Sequence, residues 1–526
     1  MNNKQTRRHF LGSVIAAASA GAVVYPEKQT IRAQDTSHIA GDLGTIFPPP
    51  KYSRIDTGIM TELPSDQPVT VGDTMKFIEF RWAYSPLMGA LEIKSPVFEN
   101  VVKGVQKNAQ LPPVSYLVGS PDDHKELGQL YNRLKSRLPK GTGNGLGEEG
   151  YVLSTGPNGV RVAANTAAGI FYGIQTLLQL LTGDKAVPQA EVADVPVMGF
   201  RGMHFGFNNP DDIPLLKSYI REELPRRKAN TLVLSVNYAF KFKSHPEINE
   251  ATMLDESNAR DLARHCKNNN IHLIPLINCF GHQSWRPDSI RGLLRAYPQF
   301  NETPCMTGED VLMYNWCPSD PRIAPIVFEL IDELIEAFET DTVHLGMDEV
   351  LYLGVCPFCR KKSPAELFAK VVNEFHDHVV GRRNLKMTIW GDRLVDGFKT
   401  PYNPMNGSRN GTHPAINMVP KDILLCDWHY HLHESYPSVD QFENAGFDYV
   451  ICGWRKLDAI RAFIEYASAH GKEHFKGYLH TNWGGQIPMM RYMTEGTLEA
   501  EDAEEIKNFT ACNRLGLELA WTGIKK

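Results

Sequence analysis

Thr342-Val343-His344-Leu345-Gly346-Met347-Asp348-Glu349 is the stretch on which the fold of this 526-residue chain turns. It begins as an apolar, β-branched run of the length of one strand and ends abruptly on two carboxylates. Just before it, Ile323, Ile326, Val327, Leu330, Leu334, Ile335 and Phe338 recur at helical spacing and mark a helix over 322–339. The same alternation extends in both directions. Eight apolar runs, at 200–207, 231–237, 272–278, 342–348, 386–391, 423–428, 449–454 and 477–483, are separated mostly by segments of helical periodicity. Eight strands alternating with helices predict an α/β chain folded as a (β/α)8 TIM barrel over 196–526. An open doubly wound sheet is the alternative, but no Gly-x-Gly-x-x-Gly follows any strand as a dinucleotide site needs.

Ahead of the barrel the pattern is mixed. Residues 151–154 and 160–163 read as two strands joined across Gly156-Pro157-Asn158-Gly159, and 167–181 as a helix with Ile170, Phe171, Ile174, Leu177, Leu178 and Leu181 on one broad face. This predicts a smaller α+β domain over 69–195. Residues 36–68, polar and then Pro-rich at Pro48-Pro49-Pro50, read as a linker. At the start, Arg7-Arg8-His9-Phe10-Leu11 precedes an Ala-rich apolar run, so 1–35 reads as an export signal of the twin-arginine type, with an uncleaved membrane tether as the alternative. The expected location is periplasmic or extracellular, with no membrane span in the mature chain.

Composition narrows the function. The chain is 42% hydrophobic and 22% charged, ordinary for a globular protein, and its net charge of −6 disfavours binding nucleic acid by phosphate neutralisation. Nine cysteines are too few for a disulfide scaffold of this length. Catalytic groups of a barrel lie at the C-terminal ends of its strands. There the sequence offers 201–209, Asn237, Asn278 with Gly281-His282, Asp348-Glu349, Trp390 with Asp392, Asp427-Trp428-His429, Trp454, and 480–483. Four of the eight Trp stand at these ends, beside carboxylates. Indoles stack on the C–H faces of a pyranose while carboxylates bond its hydroxyls, so a carbohydrate substrate is expected. Two carboxyls side by side in a cleft resist ionising together, which makes an acid beside a base, as glycoside hydrolysis needs.

His344-Leu345-Gly346-Met347-Asp348-Glu349-Val350 resembles the His-x-Gly-Gly-Asp-Glu motif of glycoside hydrolase family 20, the β-N-acetylhexosaminidases. Other segments agree in order. The segments 149–151, 168–173 and 175–180 resemble that family's N-terminal domain. Phe200-Arg201-Gly202 resembles the opening of its barrel, Ile274-Pro275 with Gly281-His282 its third strand, and 388–392 its fifth. The resemblance implies substrate-assisted retention, with Glu349 as general acid and Asp348 holding the 2-acetamido group so that its carbonyl attacks the anomeric carbon. It further implies that Arg201 bonds sugar hydroxyls, that Trp390, Trp428 and Trp483 wall the pocket, that His282 and His344 support the acids, and that Asp392 is among the substrate contacts. No metal and no cofactor are called for. The chain departs from the family pattern at Leu276 and Asn278, where acids are usual, and at Gly206, where Asp is usual. It also lacks a Glu two residues after Trp483 and a Tyr-x-Asp near Cys452-Gly453-Trp454.

Other readings stay open at this level. His429, His431 and His433 alternate after Asp427-Trp428 and would share one face of a strand, which suits a metal-dependent barrel hydrolase. Cys356-Pro357-Phe358-Cys359 is half of a zinc site that Cys305 and Cys317 can complete; a disulfide and free thiols are the alternatives. The lost sugar ligands suit a glycosidase of altered specificity or a non-catalytic glycan-binding barrel.

Overall fold

The computed structural model describes residues 30–32, 46–63, 69–71, 115–139, 145–182, 186–207, 209–250, 252–284, 290, 292–304 and 315–524. Most of the segment read above as an export signal, including Arg7-Arg8, lies outside these residues. Within 1–35, Thr30–Arg32 forms strand β1 and pairs antiparallel with Thr497–Glu499.

The N-terminal domain is a six-stranded sheet. Its strands are β2 (Tyr52–Glu62), β3 (Val69–Val71), β4 (Ser115–Gly119), β5 (Tyr151–Gly156), β6 (Gly159–Ala164) and β7 (Ala186–Asp194), in the order β2-β7-β5-β6-β4-β3. The reading of 36–68 as a linker is therefore corrected over 52–62: β2 is an eleven-residue edge strand laid antiparallel on β7. Its side chains are mostly exposed, so it carries no apolar alternation to betray it; its backbone pairing alone puts it in the sheet. β5 and β6 form the expected hairpin. Alternate residues feed opposite faces, as the pleat requires. Tyr151, Leu153, Val160 and Val162 meet the helix Ala167–Leu180 on one side. Val152 and Ala163 meet the helix Lys125–Lys135 on the other.

The barrel closes as predicted. Its strands, all parallel, are β8 (Phe200–Gly206), β9 (Thr231–Ser235), β10 (His272–Leu276), β11 (Thr342–His344), β12 (Lys386–Trp390), β13 (Leu424–Trp428), β14 (Tyr449–Gly453) and β15 (Phe475–His480), with β15 returning to β8. β16 is the edge strand Thr497–Glu499 beyond the barrel. Val233, Ile274, Leu276, Trp390, Val450 and Leu479 fill the lumen. The helix before β11 spans Ile323–Phe338 and buries the expected face, ending where Glu339 takes left-handed backbone. No helix among the described residues is long and apolar enough to cross a membrane.

The two domains are joined at the N-terminal end of the barrel strands by buried ion pairs. Lys228 Nζ lies 2.6 Å from Asp194 Oδ2 with neither side chain exposed, and Tyr151 and the indole of Trp521 bond the same carboxylate or its partner. Arg201 belongs to this seam. Its guanidinium grips Glu149 of the N-terminal domain at 2.7 and 2.9 Å, donates to the carbonyls of Met198 and Lys228, and lies over the ring of Trp521.

Candidate active site

β11 is only three residues long because the chain then turns sharply. Gly346, Met347 and Glu349 all have positive φ, at 68°, 69° and 49°. Glycine is required at 346, where a Cβ would collide with Asn278. For Met347 and Glu349 the left-handed region is unfavourable, and such strain is kept where a side chain must be aimed. Hydrogen bonds hold the turn. Gly346 N–H donates to His344 Nδ1 at 3.0 Å, Leu345 N–H to Thr388 O, and Trp390 N–H to Gly346 O.

The turn delivers Asp348 and Glu349 to one imidazole. His282 Nε2 lies 2.8 Å from Asp348 Oδ2 and 3.8 Å from Glu349 Oε2, with all three side chains largely buried. Burial alone would depress the His282 pKa, but the charge and hydrogen bond of Asp348, with Glu349 and Asp392 nearby, raise it above the ordinary value. Gly281 makes the approach possible: a Cβ there would come within 2.6 Å of the Asp348 carbonyl. The second oxygen, Asp348 Oδ1, is buried and accepts no hydrogen bond among the described residues.

Asp392 is a hub behind Glu349, with both of its oxygens engaged by protein. Oδ2 accepts the Glu349 backbone N–H at 3.0 Å and Arg393 Nε at 2.6 Å; Oδ1 accepts the Trp428 indole N–H at 3.2 Å. Burial, with Asp348 adding to it, lifts its pKa despite Arg393. The expectation that Asp392 touches substrate is therefore corrected: it is almost fully buried and positions the acid and one aromatic wall. His344 also acts from below. It is fully buried, bonds the turn at Gly346, and packs against Trp390 at 4.6 Å between ring centroids.

The aromatics form a floor and a wall. Trp390 is completely buried and rests on His204 and His344, so it is a floor rather than an open face. Burial, with His344 and His480 adding to it, pushes His204 down to about 3, so the His204 ring is neutral. Trp483, 36% exposed, stands 5.6 Å from Trp390 and donates its indole N–H to Tyr430 Oη at 2.7 Å. Tyr430 packs between Trp428 and Trp454. Burial raises its pKa, and the Asp348 carboxylate is close enough to add to the shift. Tyr430 was not among the expected site residues; its alternation with Trp428 just past a strand end was the available signal.

Arg201 is not in this group. All eight strands run parallel, and Arg201 is the second residue of β8, whereas the acids follow the last residue of β11. It thus sits at the opposite end of the barrel, saturated by Glu149, and the expectation that it bonds sugar hydroxyls is corrected. The alternating histidines do not share one strand face. His429 is buried against Asp427 and Ser438 and stacks on Tyr402, His433 packs on the same Tyr402 with its ring 6.2 Å from that of His429, and His431 lies beside Lys456. β13 ends at Trp428, so strand geometry never aligns them.

Comparison with known proteins agrees with this architecture. The pattern for "Glycosyl hydrolase family 20, domain 2" matches residues 46–195, and that for "Glycosyl hydrolase family 20, catalytic domain" matches 228–483. A beta-hexosaminidase of Porphyromonas gingivalis is 26% identical over 329 residues, 53% of this chain and 40% of that protein. A lacto-N-biosidase of Bifidobacterium bifidum is 24% identical over 54% of this chain and 24% of that one. The chain thus spans less than half the length of either relative. A beta-hexosaminidase of Akkermansia muciniphila, 24% identical, aligns over 66% of this chain and 76% of its own length. The fold is shared with a crystallised beta-N-acetylhexosaminidase from Bacteroides fragilis, at a TM-score of 0.60 and 16% identity over 91% of this chain and 92% of that one. With both domain patterns matched in order across a closed barrel and its companion sheet, the chain belongs to glycosyl hydrolase family 20.

Proposed function

We propose that the protein is a glycosidase that removes terminal β-linked N-acetylhexosamine with retention, using the substrate's own 2-acetamido group as nucleophile. The observation that carries the proposal is the division of labour on Asp348. One oxygen is fixed by His282 at 2.8 Å, and the other is buried with no donor among the described residues, which suits an acetamido N–H. Held that way, the acetamido carbonyl oxygen attacks the anomeric carbon while Glu349 protonates the departing glycosidic oxygen. Water then opens the cyclic intermediate with Glu349 as base, and the configuration is retained. Both acids gather on one imidazole nitrogen, at 2.8 Å for Asp348 and 3.8 Å for Glu349. Trp483, Trp428 and Tyr430 offer the aromatic wall that a pyranose face stacks on.

The relatives' names agree with this chemistry, being beta-hexosaminidases in P. gingivalis and A. muciniphila. A panel of aryl β-glycosides differing at C2 and C4 tests the proposal. Strong preference for 2-acetamido sugars is expected, with the retained anomer as first product. Equal cleavage of plain glucosides overturns the assisted mechanism, and no cleavage of any glycoside with retained glycan binding favours the non-catalytic barrel. We also infer export by the twin-arginine route from Arg7-Arg8. Replacing both by Lys should trap the precursor in the cytoplasm; unchanged secretion refutes that route.

A further inference from the structure

We propose a structural zinc site formed by the thiolates of Cys317, Cys356 and Cys359 and one carboxylate oxygen of Glu302. It is separate from the candidate active site and lies behind it. These four buried residues bring one ligand atom each within 4.8 Å of all the others. Cys317 Sγ stands 3.3 Å from Cys356 Sγ and 3.5 Å from Cys359 Sγ. Both distances are far beyond an S–S bond of about 2.0 Å. They approach the ~3.8 Å edge that a tetrahedron with zinc–sulfur bonds of about 2.3 Å requires. No disulfide forms among the eight described cysteines, and a disulfide here would pair two of the thiols and strand the third.

The carboxylate supplies the independent observation. Glu302 is fully buried, and its Oε1 accepts the backbone N–H of Val355 at 2.9 Å and of Cys356 at 3.4 Å. Its Oε2 is buried with no hydrogen-bond partner among the described residues. A fully buried carboxylate with one orphaned oxygen beside three thiols is costly unless a cation joins them. The ligand chemistry selects the ion: three sulfurs and one oxygen in a closed, dry site suit zinc over magnesium or calcium, which take oxygen donors. Cys356-Pro357-Phe358-Cys359 is shaped for the task, since the N–H groups of Cys359 and Arg360 both donate to Cys356 O and fold the two sulfurs to one side. Cys305, the other candidate from the sequence, lies outside the described residues, and Glu302 takes the fourth position in this site.

Such an ion ties together three loops at the catalytic end of the barrel. The Cys356–Cys359 turn follows Glu349 by a few residues. Cys317 adjoins Trp316, whose indole donates to Cys279 O at 2.6 Å, close to the Gly281-His282 turn. Asn315 donates to Tyr352 O at 2.8 Å, on the strap between acid and turn. The site therefore braces the segments carrying His282 and Glu349 without contacting substrate.

Elemental analysis of the full chain, purified without chelator and dialysed, should find about one zinc per chain, the stoichiometry of a closed structural site. Cobalt substituted for it should show a thiolate-to-cobalt charge-transfer band, and Cys356→Ser and Glu302→Gln should each lower zinc retention during dialysis against chelator. Because a variant can fail to fold, the native chain is also stripped with a thiol-modifying mercurial and the released metal titrated with a zinc indicator. Metal-free protein that takes up no added zinc or cobalt overturns the proposal. So does mass spectrometry of the native chain showing a Cys317–Cys356 or Cys317–Cys359 disulfide.

Discussion

Replacing Arg201 by Met separates a residue that builds the molecule from one that binds its substrate. The guanidinium has no solvent exposure, and its side chain reaches Glu149 twice, three backbone carbonyls and the Tyr172 hydroxyl. Methionine keeps the stem against Trp521 and removes every donor. Glu149, 18% exposed, then keeps the Asn230 amide as a donor, and the carbonyls of Met198, Gly199 and Lys228 each lose a donor. Breaking a buried ion pair from one side costs about 3–5 kcal/mol, and the partial exposure of Glu149 favours the lower figure. At about 2–4 °C per kcal/mol for a large domain, the main unfolding transition should fall by roughly 6–12 °C. Removing both charges, in Arg201→Met with Glu149→Met, should recover part of that loss, because no lone charge stays buried. The assay is thermal unfolding by circular dichroism together with steady-state kinetics well below both transitions. KM per folded molecule should stay unchanged. An unaltered transition with a manyfold rise in KM would refute the placement of Arg201 at the domain seam and return it to the sugar.

Three further outcomes are expected. Glu349→Gln should lower kcat by roughly 10²–10⁴-fold on substrates with poor leaving groups, and far less on activated aryl glycosides; equal losses on both would remove Glu349 as the acid. Asp348→Asn removes a charge-assisted hydrogen bond worth about 1.5–3 kcal/mol, so preference for a 2-acetamido sugar over its 2-hydroxy analogue should fall roughly 10–150-fold; unchanged discrimination argues against contact with the acetamido group. For His282 the folded-state pKa is raised, so its protonated form is favoured by folding. The stability it contributes with Asp348 is complete below the ordinary value near 6.5 and is lost as pH rises through the raised one. The thermal stability gap between the native chain and His282→Gln should therefore be widest in mild acid and narrow toward alkaline pH, and a gap that widens instead refutes the pairing.

What the sequence could and could not disclose follows from the range of each interaction. The barrel was legible because its strands are mostly buried on both faces, so each of the eight reads as a mainly apolar run. β2 was illegible for the converse reason, as an edge strand with an exposed face and no alternation to detect. The acid pair was legible through its position just after an apolar run, and His282 through its place beyond a strand end and the resemblance of Gly281-His282 to the family's third strand. Arg201 was misplaced by a question of direction along one strand. Five residues separate it from Gly206 at the catalytic end of β8, and at ~3.3 Å per residue that is about 16 Å. A residue in a strand thus belongs to one end of a barrel or the other, and the run of apolar neighbours does not say which. Its partner Glu149 comes from another domain, as Glu302 comes to the thiols from a loop fifteen residues before Cys317. Both pairings are products of closure, invisible until the chain has folded. The same holds for Asp392, whose acidity suggested sugar binding but whose two oxygens are taken by Glu349, Arg393 and Trp428. In this molecule a carboxylate or guanidinium at a conspicuous position is as apt to hold a neighbour as a ligand. The discriminating feature is whether an oxygen or nitrogen remains unclaimed by the protein, as Asp348 Oδ1 does and those of Arg201 and Asp392 do not.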